Sequence, residues 1–225
     1  MSISVSVLRV FIDEAGSFGN LLGVVDGAVV SPDQRQQVAA EVGYSETVFI
    51  DDPALGRIQI FTPAVELRFA GHPTIGTAWW LRQQGYDPAQ LLTPAGPVAV
   101  SRDETLTWIR ARSDWTPQFT WHELPDPAAV GAADPSSFLS GQHYLWAWVD
   151  RTAGSLRSRM FAPDMGIVED EATGAAAIAF TALQKRDLDI TQGRGSRLYT
   201  RWDGGGWARL GGRVASEPVR IIRGD

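Results

Sequence analysis

Hydrophobic and polar residues alternate with the period of short β-strands along much of the first hundred residues. Four segments show this pattern: 4–12, 20–25, 47–50 and 57–62. A helix is predicted over about 31–42. Ser31 suits its N-cap, with Gln34 completing a capping-box pattern, Pro32 suits its first position, and Gly43 ends it.

Two further segments are apolar on nearly all sides, which is typical of helices buried in a protein core. The first covers residues 70–85, where Pro73 favours a helix start and Gly85 a helix end. The second covers residues 169–186 and is rich in alanine. Residues 126–142 are predicted to form a loop or a short helix. The rest of the second half consists of strand candidates: 106–112, 118–124, 144–150, 157–162, 196–202, 207–215 and 218–223.

The sequence contains an internal repeat. RIQIFTP at 57–63 and RSRMFAP at 157–163 share Arg, Phe and Pro at an offset of 100 residues. A turn of small residues and an apolar helix follow each copy. The repeat predicts an α+β protein of two similar halves, each a sheet wrapped on one central helix. We place the halves at 1–104 and 105–225, with the last strand able to return to the first half.

Composition excludes several classes of function. The chain has no cysteine, so disulfides, thiolate metal sites and thiol nucleophiles are ruled out. Its net charge is −6 and it has no run of Lys or Arg, which argues against a nucleic-acid partner. We find no signal peptide and no apolar stretch of about 20 residues, so no membrane segment is expected. The default location is the cytoplasm.

Both apolar helices begin with small residues, Gly71-His72-Pro73-Thr74 in one and Ala172-Thr173-Gly174-Ala175 in the other. Helix N-termini carry unpaired N–H groups and about half a unit of positive charge. If the two starts face one cleft between the halves, they would form an anion site suited to a substrate carboxylate. The alternative is that these residues only cap and pack the helices.

Several motifs resemble, in order and spacing, the phenazine biosynthesis-like (PhzF-like) family of the diaminopimelate-epimerase fold. They are FGN (18–20), YSETVFI (44–50), RIQIFTPAVELRFAGHPTIGTAWWL (57–81), MFAPDMGIVEDEATGAAA (160–177) and TQG (191–193). The resemblance implies two pseudo-symmetric halves, each a curved, mostly antiparallel sheet around a central helix, and a homodimer. It also implies a biosynthetic isomerase that moves a proton on a small carboxylate-bearing metabolite without a cofactor or a metal.

The resemblance further implies roles for individual residues. Glu46 matches the family's acid/base glutamate; it is expected to lie close to His72 or Asp170, and partial burial is expected to raise its pKa. His72 matches a histidine that holds a carboxylate or assists proton transfer, and Asp170 an acid that binds polar groups of the substrate or hydrogen-bonds to His72. For each, a purely structural role is the alternative. The expected substrate-binding residues are Asn20, Ser45, Gly71, Thr74, Thr173, Gly174 and Ala175.

Two positions depart from the family pattern EDPATGS. Glu171 stands where the family has Pro, and Ala175 where it has Ser. These changes remove a hydroxyl and add a negative charge, so they favour a second hypothesis, a non-catalytic relative that binds a metabolite or regulates a partner. Retention of Glu46, His72 and Asp170 favours an enzyme. The cysteine-pair mechanism of the wider fold is impossible here because the chain has no cysteine, whereas a one-glutamate proton shuttle remains possible.

Overall fold

The computed structural model describes residues 2–223. They form two compact units, and each unit is built from more than one segment of the chain. The first unit contains residues up to Val10, Leu21–Arg110 and those from Arg213 onward. The second contains Phe11–Asn20 and Ala111–Gly212. The last strand therefore ends in the first unit, and the short early segment Phe11–Asn20 belongs to the second.

The first unit is a sheet with one helix on each face. Its strands follow the order β1-β2-β3-β4-β6-β7-β8, with β5 paired to β4. The elements are β1 (Ser2–Ile12), β2 (Asn20–Asp26), α1 (Arg35–Val42), β3 (Glu46–Asp52), β4 (Arg57–Phe61), β5 (Glu66–Leu67), α2 (Gly71–Gln83), β6 (Gln90–Thr93), β7 (Gly96–Arg102) and β8 (Thr107–Arg112).

The second unit has the strand order β15-β14-β13-β11-β10-β9, with β12 paired to β11. Its elements are β9 (Thr120–Glu123), α3 (Pro127–Ala132), β10 (His143–Asp150), β11 (Ser155–Ala162), β12 (Ile167–Asp170), α4 (Gly174–Gln184), β13 (Leu188–Gln192), β14 (Ser196–Gly204) and β15 (Trp207–Arg223).

The two units share one topology. In the first, the pairs β2–β3, β3–β4, β4–β6 and β6–β7 are parallel, antiparallel, parallel and antiparallel, and the pairs β9–β10, β10–β11, β11–β13 and β13–β14 of the second repeat this series. Phe61 lies opposite Thr47, and Phe161 lies opposite His143 at the same step of the matching strand pair. Both phenylalanines pack in the cluster under the outer helix, α1 or α3. The predicted α+β fold of repeated halves is confirmed.

One inner helix packs against each sheet: α2 on the face opposite α1 in the first unit, and α4 on the face opposite α3 in the second. At Gly76 a Cβ atom would lie 2.5 Å from Leu22 and 2.8 Å from Val10, so the absence of a side chain lets α2 approach the strands closely. In the second unit, Phe180 of α4 packs against Trp121 and Trp146 at centroid distances of 5.1 and 4.8 Å. None of the helices in residues 2–223 is both long and apolar enough to span a membrane.

Some predicted boundaries were wrong. The helix expected over 169–186 begins only at Gly174, because residues 167–170 pair with β11 as a strand. The candidates 207–215 and 218–223 form one continuous strand. The capping box at Ser31 is absent: the hydroxyl bonds the Gln34 side chain, and a 3₁₀ turn precedes α1.

Candidate active site

The first unit brings Glu46 and His72 together. Glu46 is the first residue of β3, on the same face as Val48 and Ile50 and opposite to Phe49, which packs toward α1. His72 is the second residue of α2, and its Nδ1 atom lies 3.2 Å from Glu46 Oε2. The His72 side chain is 3% exposed and that of Glu46 is 18% exposed. A carboxyl group and an imidazole are thus paired with little contact with solvent.

The pKa of Glu46 differs from the expectation. Burial raises it, as predicted, but the positive charge of His72 and hydrogen bonds from His72 and Ser45 lower it more, so that it lies below the ordinary value of 4.5. The prediction of a raised pKa was therefore wrong. The expected closeness of Glu46 to His72 is confirmed at 3.2 Å, but the prediction of the pKa considered burial alone and not the effect of the imidazole. At neutral pH the Glu46 carboxyl is ionised and can accept a proton.

This pair occurs in only one of the two repeats. Glu46 precedes Thr47, the partner of Phe61, and in the second unit Gln142 precedes His143, the partner of Phe161. The second residue of α4 is Ala175, at the position that His72 takes in α2. Neither an amide nor a methyl group acts as an acid or a base near neutral pH. The two equivalent positions therefore hold one proton-exchanging pair, not two.

The starts of α2 and α4 lack side-chain caps. The N-cap of α2 is Ala70, which has no polar side chain, and the N-cap of α4 is Thr173, whose side chain makes no capping hydrogen bond. Gly71 and Gly174 are the first helical residues and both are buried. The hydroxyl of Thr74 donates to Ala70 O at 2.6 Å. The alternative that these residues serve as caps is not supported at either helix.

In the second unit, Asp170 is held by two donors. Asn20 Nδ2 donates to its Oδ1 at 2.6 Å, and the Thr173 hydroxyl donates to its Oδ2 at 2.6 Å. Asn20 Nδ2 also lies 3.0 Å from Ala172 O. Three predicted site residues, Asn20, Asp170 and Thr173, are thus brought into one hydrogen-bonded turn just before α4.

Glu171, the residue in place of the family's proline, contacts the β13–β14 turn. Its carboxylate accepts hydrogen bonds from Arg194 N and Ser196 Oγ, both at 3.0 Å, and contacts Arg194 Nε at 3.2 Å. Its added negative charge is therefore paired with a cation of the β13–β14 turn. Sequence reasoning missed this turn, although its TQG motif was among the segments that carried the resemblance.

The two repeats, each with a helix packed on its sheet, define the epimerase-like fold class. A PhzF family protein of Enterococcus faecalis has the same fold, with a TM-score of 0.79 at 21% identity over 99% of this chain and all of that one. A hydroxyproline epimerase of Agrobacterium vitis has a TM-score of 0.64 at 12% identity, over 98% of this chain and 92% of that one. These likenesses confirm the predicted fold class.

The family follows from the sequence matches. The model of the phenazine biosynthesis-like protein family, PhzC-PhzF, matches residues 8–137 and 140–200, and the chain belongs to this family. It is 30% identical to a trans-2,3-dihydro-3-hydroxyanthranilate isomerase of Pseudomonas aeruginosa, over 79% of this chain and 82% of that protein. It is 35% identical to the protein of the same name from Pseudomonas chlororaphis, over 68% and 69%. The chain is an enzyme of the isomerase class.

Proposed function

We propose that the protein is a cofactor-independent isomerase in which Glu46 moves a proton on a small carboxylate-bearing metabolite. The observation that carries this proposal is the buried contact of 3.2 Å between His72 Nδ1 and Glu46 Oε2, present in one repeat and absent from the other. A single acid/base pair suits a reaction in which one group removes a proton and returns it elsewhere on the same molecule.

The two side chains have different tasks in this proposal. The ionised Glu46 carboxylate takes a proton from a carbon of the substrate and, as the neutral acid, gives it back at another atom. His72 keeps the carboxylate ionised in the resting enzyme, because its positive charge opposes the effect of burial on the pKa of Glu46. A substrate carboxylate bound near His72 would add negative charge and raise the pKa of Glu46 toward the range useful for proton transfer.

The proposed carboxylate site rests on the uncapped starts of the two inner helices. Their first N–H groups donate no hydrogen bond to the N-cap side chain, which leaves donors for an anion near Gly71 and near Gly174. Asp170, with Asn20 and Thr173, is proposed to bind polar groups of the substrate. That both helix starts serve one substrate in a shared cleft stays a prediction, as does the role of Ser45, Thr74 and Ala175.

The first experiment measures turnover of trans-2,3-dihydro-3-hydroxyanthranilate, the compound named in the relatives, by the wild type and by Glu46→Gln. A general acid/base contributes about 10²–10⁴-fold in rate, so kcat should fall by about this factor while ligand binding, measured by calorimetry, persists. Glu66→Gln is the matched control, since Glu66 is an exposed carboxylate that accepts a hydrogen bond from Gln59.

The outcomes separate the hypotheses. Turnover that disappears only in Glu46→Gln supports the proposal, and wild-type turnover by this variant refutes it. Binding without turnover by the wild-type protein would favour a different substrate of the same carboxylate class. We also propose a homodimer, which predicts twice the chain mass by light scattering.

A further inference from the structure

We infer that Gln192, at the end of β13, is a positioning residue that holds Asp170 through the hydroxyl of Thr173. The inference rests on the proposed function in one respect, the role of Asp170 toward the substrate. Gln192 does not touch the Asp170 carboxylate: its Nε2 atom donates to Thr173 Oγ1 at 2.8 Å and to the backbone oxygen of Asp170 at 3.0 Å.

The number of protons on each group determines which atom donates and which accepts in these hydrogen bonds. A threonine hydroxyl has one proton to donate and can accept from other donors. Because Gln192 Nε2 donates to Thr173 Oγ1, the hydroxyl proton of Thr173 remains available for Asp170 Oδ2, 2.6 Å away. Both protons of the Gln192 amide are used, one on the hydroxyl and one on the carbonyl. Gln192 thus fixes the orientation of the group that holds the carboxylate.

The burial of Gln192 indicates that this arrangement does not serve stability alone. Its side chain is completely buried, and Oε1 has no hydrogen-bond partner among residues 2–223. A buried polar atom without a partner disfavours the folded state. An apolar side chain of the same length would avoid this cost, yet it could not donate to Thr173. We therefore attribute the presence of an amide at this position to the two hydrogen bonds that it donates, to Thr173 and to Asp170 O.

The backbone that carries Gln192 is closely fitted to the same turn. Gly193 has φ +60°, and a Cβ atom there would lie 2.5 Å from Glu171 O. Arg194 N and the Ser196 hydroxyl donate to the Glu171 carboxylate at 3.0 Å. The β13–β14 turn thus contacts consecutive residues of the Asp170 turn, and Gln192 provides the contact nearest the proposed site.

A double-mutant cycle tests the inference. Gln192→Met keeps the length of the side chain and removes both donors, whereas Thr173→Val removes the hydroxyl through which Gln192 is inferred to act. Loss of precise placement costs up to about 100-fold in rate, so each single variant should lower kcat/KM on trans-2,3-dihydro-3-hydroxyanthranilate within that range. The double variant should be no worse than the more damaging single one, because both break one chain of contacts.

Thr200→Val is the matched control. Thr200 is equally buried in β14 and shares a hydrogen bond of 2.5 Å with Thr181, outside the Asp170 turn. Thr200→Val should keep wild-type kinetics. The decrease in Tm caused by Gln192→Met should be no larger than the decrease caused by Thr200→Val. If the effects of Gln192→Met and Thr173→Val multiply, or if Gln192→Met retains wild-type kcat/KM, the inference is wrong.

Hydrogen–deuterium exchange provides a readout that does not depend on the substrate. In Gln192→Met, peptides covering residues 168–178 should exchange faster than in the wild type, and in Thr200→Val they should not. Unchanged exchange in Gln192→Met overturns the inference even if no substrate is turned over. Failure of the proposed function appears elsewhere, as wild-type turnover by Glu46→Gln, so the two failures are distinguishable.

Discussion

Replacing His72 by asparagine should reverse the direction in which the protein shifts the pKa of Glu46. Asparagine preserves a hydrogen-bonding side chain near the position of Nδ1 but carries no charge. In the wild type, burial raises the pKa of Glu46 and the His72 charge and hydrogen bonds lower it below 4.5. Without the charge, the effect of burial, already the largest single influence, is no longer outweighed, and the pKa should rise above that value.

The distance between the two groups gives the scale of the effect. At 3.2 Å, opposite unit charges attract by about 5 kcal/mol at an effective dielectric constant near 20, and by about 1.3 kcal/mol in bulk water. The low exposure of both side chains, 3% and 18%, places the pair closer to the first limit. Burial remains the largest single influence on the pKa of Glu46, and the attraction outweighs it only together with the hydrogen bonds from His72 and Ser45.

The change also affects stability, with a definite sign. A carboxyl whose pKa is depressed by folding stabilises the folded state above its unfolded pKa, and this contribution is lost as the pH falls through the folded pKa. The contribution of Glu46 should therefore be complete at neutral pH in the wild type. The difference in unfolding free energy between the wild type and His72→Asn should shrink on acidification.

The assay is a carbon-13 NMR titration of the glutamate side-chain carboxyls, with the Glu46 signal assigned by its absence from Glu46→Gln. His122→Asn is the control, because it makes the same change at a histidine of the second unit, which contacts His143 at 3.0 Å. This variant should leave the titration of Glu46 unchanged. The acid limb of the pH profile of kcat/KM should move to higher pH in His72→Asn. An identical Glu46 titration in His72→Asn and wild type would refute the electrostatic reasoning.

Three further predictions concern the second unit and cofactors. Arg159→Met should lower the unfolding free energy in urea by about 2–3 kcal/mol, since Arg159 forms a two-point ion pair with Glu169 at 2.8 and 2.7 Å and donates to the carbonyl oxygens of Gly131 and Ala133 at the end of α3. A loss below about 1 kcal/mol, typical of an exposed ion pair, would contradict this. Gly193→Ala should lower both Tm and kcat/KM, because its Cβ would meet Glu171 O at 2.5 Å; unchanged values would show that the turn adapts. Dialysis against EDTA should leave turnover unchanged, and loss restored by a metal would refute cofactor independence.

The repeat and the central helices could be predicted from sequence because they depend on local patterns. Apolar residues on all sides of 70–85 indicate a buried helix, and the matched strands at 57–63 and 157–163 indicate equivalent positions of Phe61 and Phe161. The start of α4 was misplaced because residues 167–170 form a strand whose existence depends on pairing with β11, a contact made in three dimensions.

The candidate site was predictable as a set of residues and not as a network. The resemblance selected Glu46, His72 and Asp170, but the sign of the Glu46 pKa shift depends on a distance that no sequence pattern contains. Gln192 and Arg194 were overlooked for the same reason. They are far from the Asp170 turn in sequence and reach it only through the β13–β14 turn.

The most direct test of proton transfer by Glu46 is deuterium incorporation during turnover in D₂O, followed by NMR of the product. The wild-type enzyme should incorporate deuterium from solvent at the carbon that receives the proton, because the neutral Glu46 acid exchanges its proton with D₂O before it returns one to the bound substrate. Glu46→Gln should bind the same compound and incorporate deuterium about 10²–10⁴-fold more slowly. Deuterium incorporation by Glu46→Gln at the wild-type rate would show that Glu46 does not transfer the proton.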